Sequence, residues 1–219
     1  AFRLGRAGGG FSFDNECGVH ELELAPYAID AAPVSWARFL PFVEAGGYDD
    51  AALWTTEGWA WRQHSSKGRP RYLQRDDDGA WQRAVFGRWE ALDPAQPAVH
   101  LSRHEAEAWC RWAGRRLPTE AEWECAALTQ GPAFAWGEVW EWTACPFAPY
   151  PGFAPHPYRD YSQPWFDGRP VLRGASFATA AHMKHPRYRN YFEADRNDIF
   201  AGFRSCAAGP EGISPAPAR

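Results

Sequence analysis

Between Trp136 and Phe166 the chain reads "WGEVWEWTACPFAPYPGFAPHPYRDYSQPWF", with six prolines from position 146 to position 164. Each proline fixes φ and removes a backbone donor, so the segment can continue neither as a helix nor as a central strand. What can hold it is its rings. The 13 Trp of the chain stand beside 19 Pro and 20 Gly, a balance that predicts long ordered loops pinned by buried aromatics, with little helix.

Helical signals are confined to three places. "PVSWARFLPFVEAGGY" sets Trp36, Phe39, Leu40 and Val43 at helical spacing and stops at Gly46-Gly47. In "SRHEAEAWCRWAG", Ser102 and Glu105 form a capping box, with Ala106, Trp109 and Ala113 as the buried stripe and Gly114 as the stop. In "GRRLPTEAEWECAA", Thr119 caps the helix and Glu122 reaches back to it, while Glu120 and Glu122 meet the positive end of the dipole. The alternation in "HELELAPYAI" predicts a strand that turns at Asp30 to Pro33. Residues 48–97 read as loops with short strands; the run in "RDDDGAW" lacks the spacing of calcium ligands and reads as a solvated turn. "VLRGASF" and "DIFAGFRSCAA" are strand-like, and residues 209–219 are expected to be a flexible tail.

A chain of 219 residues buries roughly 70% of its unfolded surface, enough for one domain without a metal or a disulfide. The net charge of -4, with the signs interleaved, speaks against a nucleic-acid surface. The sequence shows neither a run of about 18 apolar residues nor a leader pattern, so no membrane association is expected. Its five cysteines lack any Cys-x-x-Cys pair, which predicts reduced thiols in a cytoplasm. The start, "AFRLGRAGGGF", reads as a chain cut into rather than begun.

Four strings in order, "GRRLPTEAEWE", "VWEWT", "VLRGASF" and "FAGFRSC", resemble the formylglycine-generating-enzyme-like domain. The resemblance implies an α+β, C-type-lectin-like fold over residues 1–208, with few helices, short strands and long ordered loops. In it the Thr119 helix and a Trp-rich strand are scaffold, so Thr119, Glu122 and Trp123 are folding residues. Members that generate formylglycine hold copper on two cysteines shortly after Arg-Gly-Gly-Ser. The corresponding "RGASFATAAHMKHPRYRN" has no cysteine, and a soft copper site needs thiolates.

"FSFDNE", "FVEAGGYDD", "YPGF", "PYRDYS", "RYRNYF" and "DIFAGFR" are similar to the C-terminal half of the ergothioneine-type sulfoxide synthases. This resemblance implies a substrate-binding half that works with a preceding helical-bundle domain, whose three histidines hold a mononuclear iron(II). It further implies oxygen-dependent formation of a C–S or C–Se bond on the trimethylated histidine, hercynine. The chain departs from the mycobacterial type, which carries Arg-Asn-Trp-Asp where this sequence has Arg189-Asn190-Tyr191-Phe192. It also passes directly from "WG" to "EVWEWT". Both features resemble a subgroup that includes selenoneine synthase, so the donor is either a thiol or a selenosugar. Calcium bracing the loops, as in several relatives, is the other metal the resemblance brings in. The alternatives are a non-catalytic lectin-like ligand-binding module and the copper-dependent formylglycine generator, which the missing cysteine pair disfavours.

Asn190 can both donate and accept and is expected to orient the substrate. Tyr158 and Tyr161 are the candidate proton donors, left open between them. Tyr191, Phe192 and Trp165 offer ring faces to a trimethylammonium group, and Arg187, Arg189 and Arg196 offer forks to a carboxylate or phosphate-like group. His100 and His104 have the four-residue spacing of a metal pair but fall at a helix cap, and His182 and His185 lack a third ligand. No metal site is therefore assigned to this chain.

Overall fold

The computed structural model describes residues 1–8, 10–65 and 68–209; the expected tail lies outside the described residues from 210 onward. The chain folds through β1 (Phe2–Leu4), β2 (His20–Leu22), α1 (Trp36–Glu44), α2 (Thr56–Ser65), β3 (Leu73–Arg75), β4 (Trp81–Val85) and β5 (Arg88–Ala91). It continues with α3 (Arg103–Trp112), β6 (Arg115–Arg116), α4 (Glu120–Thr129), β7 (Trp140–Pro146), β8 (Pro170–Gly174), β9 (Arg189–Tyr191), β10 (Ala201–Gly202) and β11 (Cys206–Ala207). The class is α+β, with short strands as expected. The central sheet runs β10-β7-β8-β9; β10 and β7 are parallel and the other pairs antiparallel.

Both capping boxes form. Thr119 Oγ1 accepts from the Glu122 amide at 3.1 Å while Glu122 accepts from the Thr119 amide at 2.8 Å. Ser102 and Glu105 do the same at the head of α3. Helix α1 buries Trp36 and Phe39 as expected, with Phe42 beside them, and Leu40 and Val43 pack half-buried against the same core.

Four readings of the sequence are corrected. Residues 48–97 contain α2, whose start is signalled by Thr55, which accepts from the Gly58 amide at 2.9 Å; its scattered tryptophans hide the helical period. The stretch read as wholly irregular begins with β7, one of the two inner strands of the central sheet, because its prolines start only at Pro146. "DIFAGFRSCAA" gives two short strands in different sheets, and only His20–Leu22 of "HELELAPYAI" is strand.

The two faces of the sheet are built differently. On one, Trp142 and Leu172 enter the main core with Trp36, Phe39, Trp109 and Phe203. On the other, α4 lays Glu120 and Glu124, one turn apart, over the arginines of β8 and β9. Arg173 pairs with Glu124, and Arg189 binds Glu120 through Nε at 3.0 Å and Nη2 at 3.1 Å. Arg204 pairs with Glu141 of β7, which also accepts from the Trp123 indole at 2.8 Å. All three arginines are essentially unexposed. Charges so buried are tolerable only when paired and hydrogen-bonded, which explains why the quoted strings around Glu120, Glu141, Arg173 and Arg204 occur together.

Candidate functional site

The proline-rich segment leaves β7 at Pro146 and returns to β8 at Pro170. Phe147 and Tyr150 are buried at its root, and the Arg189 guanidinium lies over the Tyr150 ring at 3.9 Å. At its far side it meets the turn formed by Asp14, Asn15 and Glu16, all buried. Ser162 donates to Asp14, Asn15 Nδ2 donates to Ser162 Oγ at 2.9 Å, and the His156 amide donates to Asp14 at 3.2 Å. Gly18 has φ +93°, and a Cβ there would stand 2.6 Å from the Pro151 carbonyl oxygen. Only glycine permits that approach.

This clamp fixes Tyr161. Its ring stacks on Phe13 at 4.2 Å, with the Tyr188 phenol beside it, and burial raises the pKa of both phenols. Both therefore remain neutral O–H groups at neutral pH. Tyr188 stands edge-on to Trp140 at 5.0 Å and near the His185 ring at 5.9 Å. Behind His185 lies Glu16, whose Oε2 is 3.6 Å from His185 Nε2. Neither Glu16 carboxyl oxygen has a hydrogen-bond partner. Burial pushes its pKa up to about 7 against the pull of Arg173 and Arg6. Burial, reinforced by Arg6, Arg173 and Arg187, lowers His185 to about 4. The 3.6 Å approach is thus not an ion pair at neutral pH. The cluster offers neutral phenols, an acid near half-ionisation and a neutral imidazole, a set suited to holding and passing protons.

The expected site residues separate in space. Tyr161 is half-buried in this cluster, while Tyr158 is 68% exposed on the loop surface. On β9 successive side chains face opposite ways. Arg189 and Tyr191 point to the α4 side, where Tyr191 stacks on Phe147 at 4.1 Å and donates to the Tyr161 carbonyl. Asn190 faces the opposite way; its Oδ1 accepts from the Tyr191 amide at 2.9 Å, leaving the amide N–H donors for a ligand.

Tyr191, Phe192 and Trp165 have different neighbours, Tyr191 standing on Phe147. Phe192 packs against the main core under Arg196, and Trp165 lies under Arg169 and donates to the Asp160 carbonyl at 2.9 Å. The expectation for Arg189 is corrected. Its guanidinium is spent on Glu120 and on the carbonyls of Asn15 and Ala148, at 2.7 and 3.0 Å, so it holds the scaffold. Arg187 lines an open cavity of about 710 Å³ together with Arg6, His182, Met183 and His185.

The sequence reading passed over Glu16, Phe13 and Tyr188 as individual groups, although "FSFDNE" and "RYRNYF" were the strings that contained them. His100 and His104 fall on either side of the α3 cap, His100 with φ +61°, and burial lowers both. Among the described residues no group of three His, Cys, Asp or Glu is arranged to hold a metal ion. All five cysteines are unbridged, and burial pushes Cys145 to about 11 and Cys206 to about 12. No described helix is long and apolar enough to cross a membrane.

A second cavity, of about 920 Å³, lies between the β4–β5 hairpin and the ends of β7 and β8, with Tyr72, Phe86, His100, Phe177 and Phe200 in its wall.

Fold and site together define an α+β protein of the C-type-lectin-like class. The family model of the sulfatase-modifying factor enzyme 1-like domain matches residues 2–138, and the chain belongs to that family. It is 34% identical over 242 residues to the hercynine oxygenase of Mycolicibacterium thermoresistibile, covering 89% of this chain and 53% of that protein. Against the hercynine oxygenase of Mycobacterium tuberculosis it is 34% identical over 237 residues, with 88% and 55% covered. Against the formylglycine-generating enzyme of Streptomyces coelicolor it is 38% identical over 152 residues, with 63% and 48% covered. The chain spans about half the length of the curated relatives it matches.

Proposed function

We propose that this chain is the substrate-binding half of a non-haem iron, oxygen-dependent enzyme that forms a C–S or C–Se bond on hercynine. The observation that carries the reading is that the likeness to hercynine oxygenases runs along 88–89% of the chain, through a loop between Ser176 and Tyr188 that is cysteine-free. The copper-dependent formylglycine reading is disfavoured by the missing pair. Iron would supply oxygen activation. In this reading the iron is held by a domain preceding this chain or by a partner chain.

The tasks of this chain are to bind, to orient and to hold protons. Asn190 orients the substrate through its free amide N–H donors. Tyr161, rather than the exposed Tyr158, is the proton donor, because it alone of the two is held rigidly, between Phe13 and Tyr188. The donor is a thiol or a selenosugar, the second favoured by Tyr191 and Phe192 in place of Trp-Asp.

Calorimetric titration of the enzyme joined to its iron domain is expected to show hercynine binding at least about tenfold tighter than histidine, the range of a cation–π contact. Asn190→Ala is expected to weaken hercynine by about tenfold, one lost hydrogen bond to a charged group. Tyr161→Phe is expected to leave binding within about twofold and to slow oxygen-dependent turnover by about a hundredfold. Equal binding of hercynine and histidine would overturn the assignment and leave the lectin-like binding module.

A further inference from the structure

We infer that the cavity of about 920 Å³ between the β4–β5 hairpin and the ends of β7 and β8 binds a zwitterionic aromatic ligand of dipeptide size, with its carboxylate at Arg83 and its ammonium at Glu138. The site is separate from the one described above, since Tyr158, Tyr161, Asn190 and Tyr191 do not line it.

Its wall is a run of rings. Tyr72 stands edge-on to His100 at 4.6 Å, His100 meets Phe200 at 5.2 Å, and Phe200 meets Phe177 at 4.6 Å and Phe86 at 6.4 Å. Phe86 and Phe177 are largely exposed. Rings held at the mouth of an apolar cavity offer a ligand ring edge-to-face or offset contact. The backbone points the same way. The positive φ angles of Phe86, +45°, and His100, +61°, both fall in this wall, and strain of that kind concentrates at ligand clamps.

The polar groups define what the rings hold. Trp36 Nε1, Arg83 Nε and His100 Nδ1 are buried nitrogens without a hydrogen-bond partner, and all three residues line this cavity. An indole and a guanidinium only donate, so the partner they lack is an acceptor. Among the charged residues of the wall, Asp198 is taken up by Arg196 at 2.6 and 2.9 Å. Burial lowers His100 to about 4, so its imidazole is neutral at pH 7. Arg83, on the hairpin, and Glu138, two residues before β7, have neither an ion pair nor a side-chain hydrogen bond among the described residues. One positive and one negative charge therefore stand on opposite walls without a counter-charge. Glu138 repels a simple anion, Arg83 repels a simple cation, and a wholly apolar ligand strands the guanidinium. A zwitterion answers both charges. The rings require it to be aromatic, and the volume lies at the upper end of the range of about 300–1,000 Å³ for small-ligand sites, which favours two residues over one.

The probe is L-tyrosyl-L-phenylalanine, titrated calorimetrically into the full chain at pH 7 beside its N-acetyl form, its C-terminal amide, the doubly blocked peptide and L-alanyl-L-alanine. The free dipeptide is expected to bind, and alanyl-alanine to bind about a hundredfold more weakly for want of two rings. The amide is expected to lose about tenfold, and the N-acetyl form about threefold, because Glu138 is exposed. Arg83→Gln is expected to weaken the free dipeptide about tenfold and the amide less than about twofold, and Glu138→Gln to spare the N-acetyl form in the same way. Phe86→Gly is expected to weaken the dipeptide about fivefold while raising the thermal midpoint, a loss that unfolding does not produce. No binding of the dipeptide, or alanyl-alanine binding equally well, would overturn the proposal. So would substitutions at Arg83 and Glu138 that weaken free and blocked peptides alike, and a doubly blocked peptide that binds as tightly as the free one would point instead to a surface for a polypeptide segment. These titrations contain no hercynine, so their failure leaves the function proposed above standing.

Discussion

At the scale of single residues the most consequential group is Glu16. The unfolded chain releases its proton near the ordinary carboxylate value, whereas the folded chain keeps it until about pH 7. Between those values the unfolded state binds fewer protons, so stability falls as pH rises and the loss is complete above pH 7. Glu16→Gln removes that dependence. Urea denaturation is expected to show the variant about 3 kcal/mol more stable than the parent at pH 8, with the difference vanishing towards pH 4. An equal gain at both pH values would show that the carboxyl is not held protonated. Arg189 teaches the complementary lesson: an arginine inside a promising string can be wholly committed to scaffold, here to Glu120 and two carbonyls.

Among the elements, the β4–β5 hairpin carries the clearest strain. Phe86 and Gly87 form its two-residue turn, with φ +45° and +82°, the geometry that matches strand twist but suits Asn or Gly rather than a bulky ring. Phe86 is 83% exposed, so burial does not compensate. Phe86→Gly is expected to raise stability by about 1 kcal/mol, read as an upward shift in thermal midpoint. Phe86 and His100 are the two non-glycine residues with positive φ among the described residues, and both line the larger cavity. Helices α3 and α4 were readable from Ser102, Glu105, Thr119 and Glu122 because a capping box is local chemistry. Helix α2 was not, because its sequence "TEGWAWRQHS" lacks an inward stripe, and its turns are held by contacts distant in sequence.

Over the whole molecule, the candidate site depends on a tie between positions far apart. Asp14 and Asn15 hold Ser162 and His156 across more than half the chain, and Tyr161 is positioned by that tie. Asp14→Ala is expected to speed limited proteolysis between Pro151 and Trp165 several-fold while leaving the global unfolding midpoint within a few degrees, because the core on the far face of the sheet does not include the loop. Unchanged cleavage would mean that Phe147 and Tyr150 alone suffice to order it.

The sequence by itself determined what local chemistry and composition can determine: two capped helices, the mixed class, an aromatic-pinned proline segment, and the order of strings that marks the family. Candidate site residues were also named from it, Asn190, Tyr158, Tyr161, Tyr191, Arg187 and Arg189 among them. Only the tertiary structure decided which of these share a site. Strand alternation sends Asn190 and Tyr191 to opposite faces of β9, burial commits Arg189 to Glu120, and exposure separates Tyr158 from Tyr161. Glu16 has its raised pKa only because the fold buries it, against the pull of Arg173 and Arg6. A pattern along the chain records neither burial nor the field of distant charges, and both are set only when the sheet, α4 and the long loop close around one another.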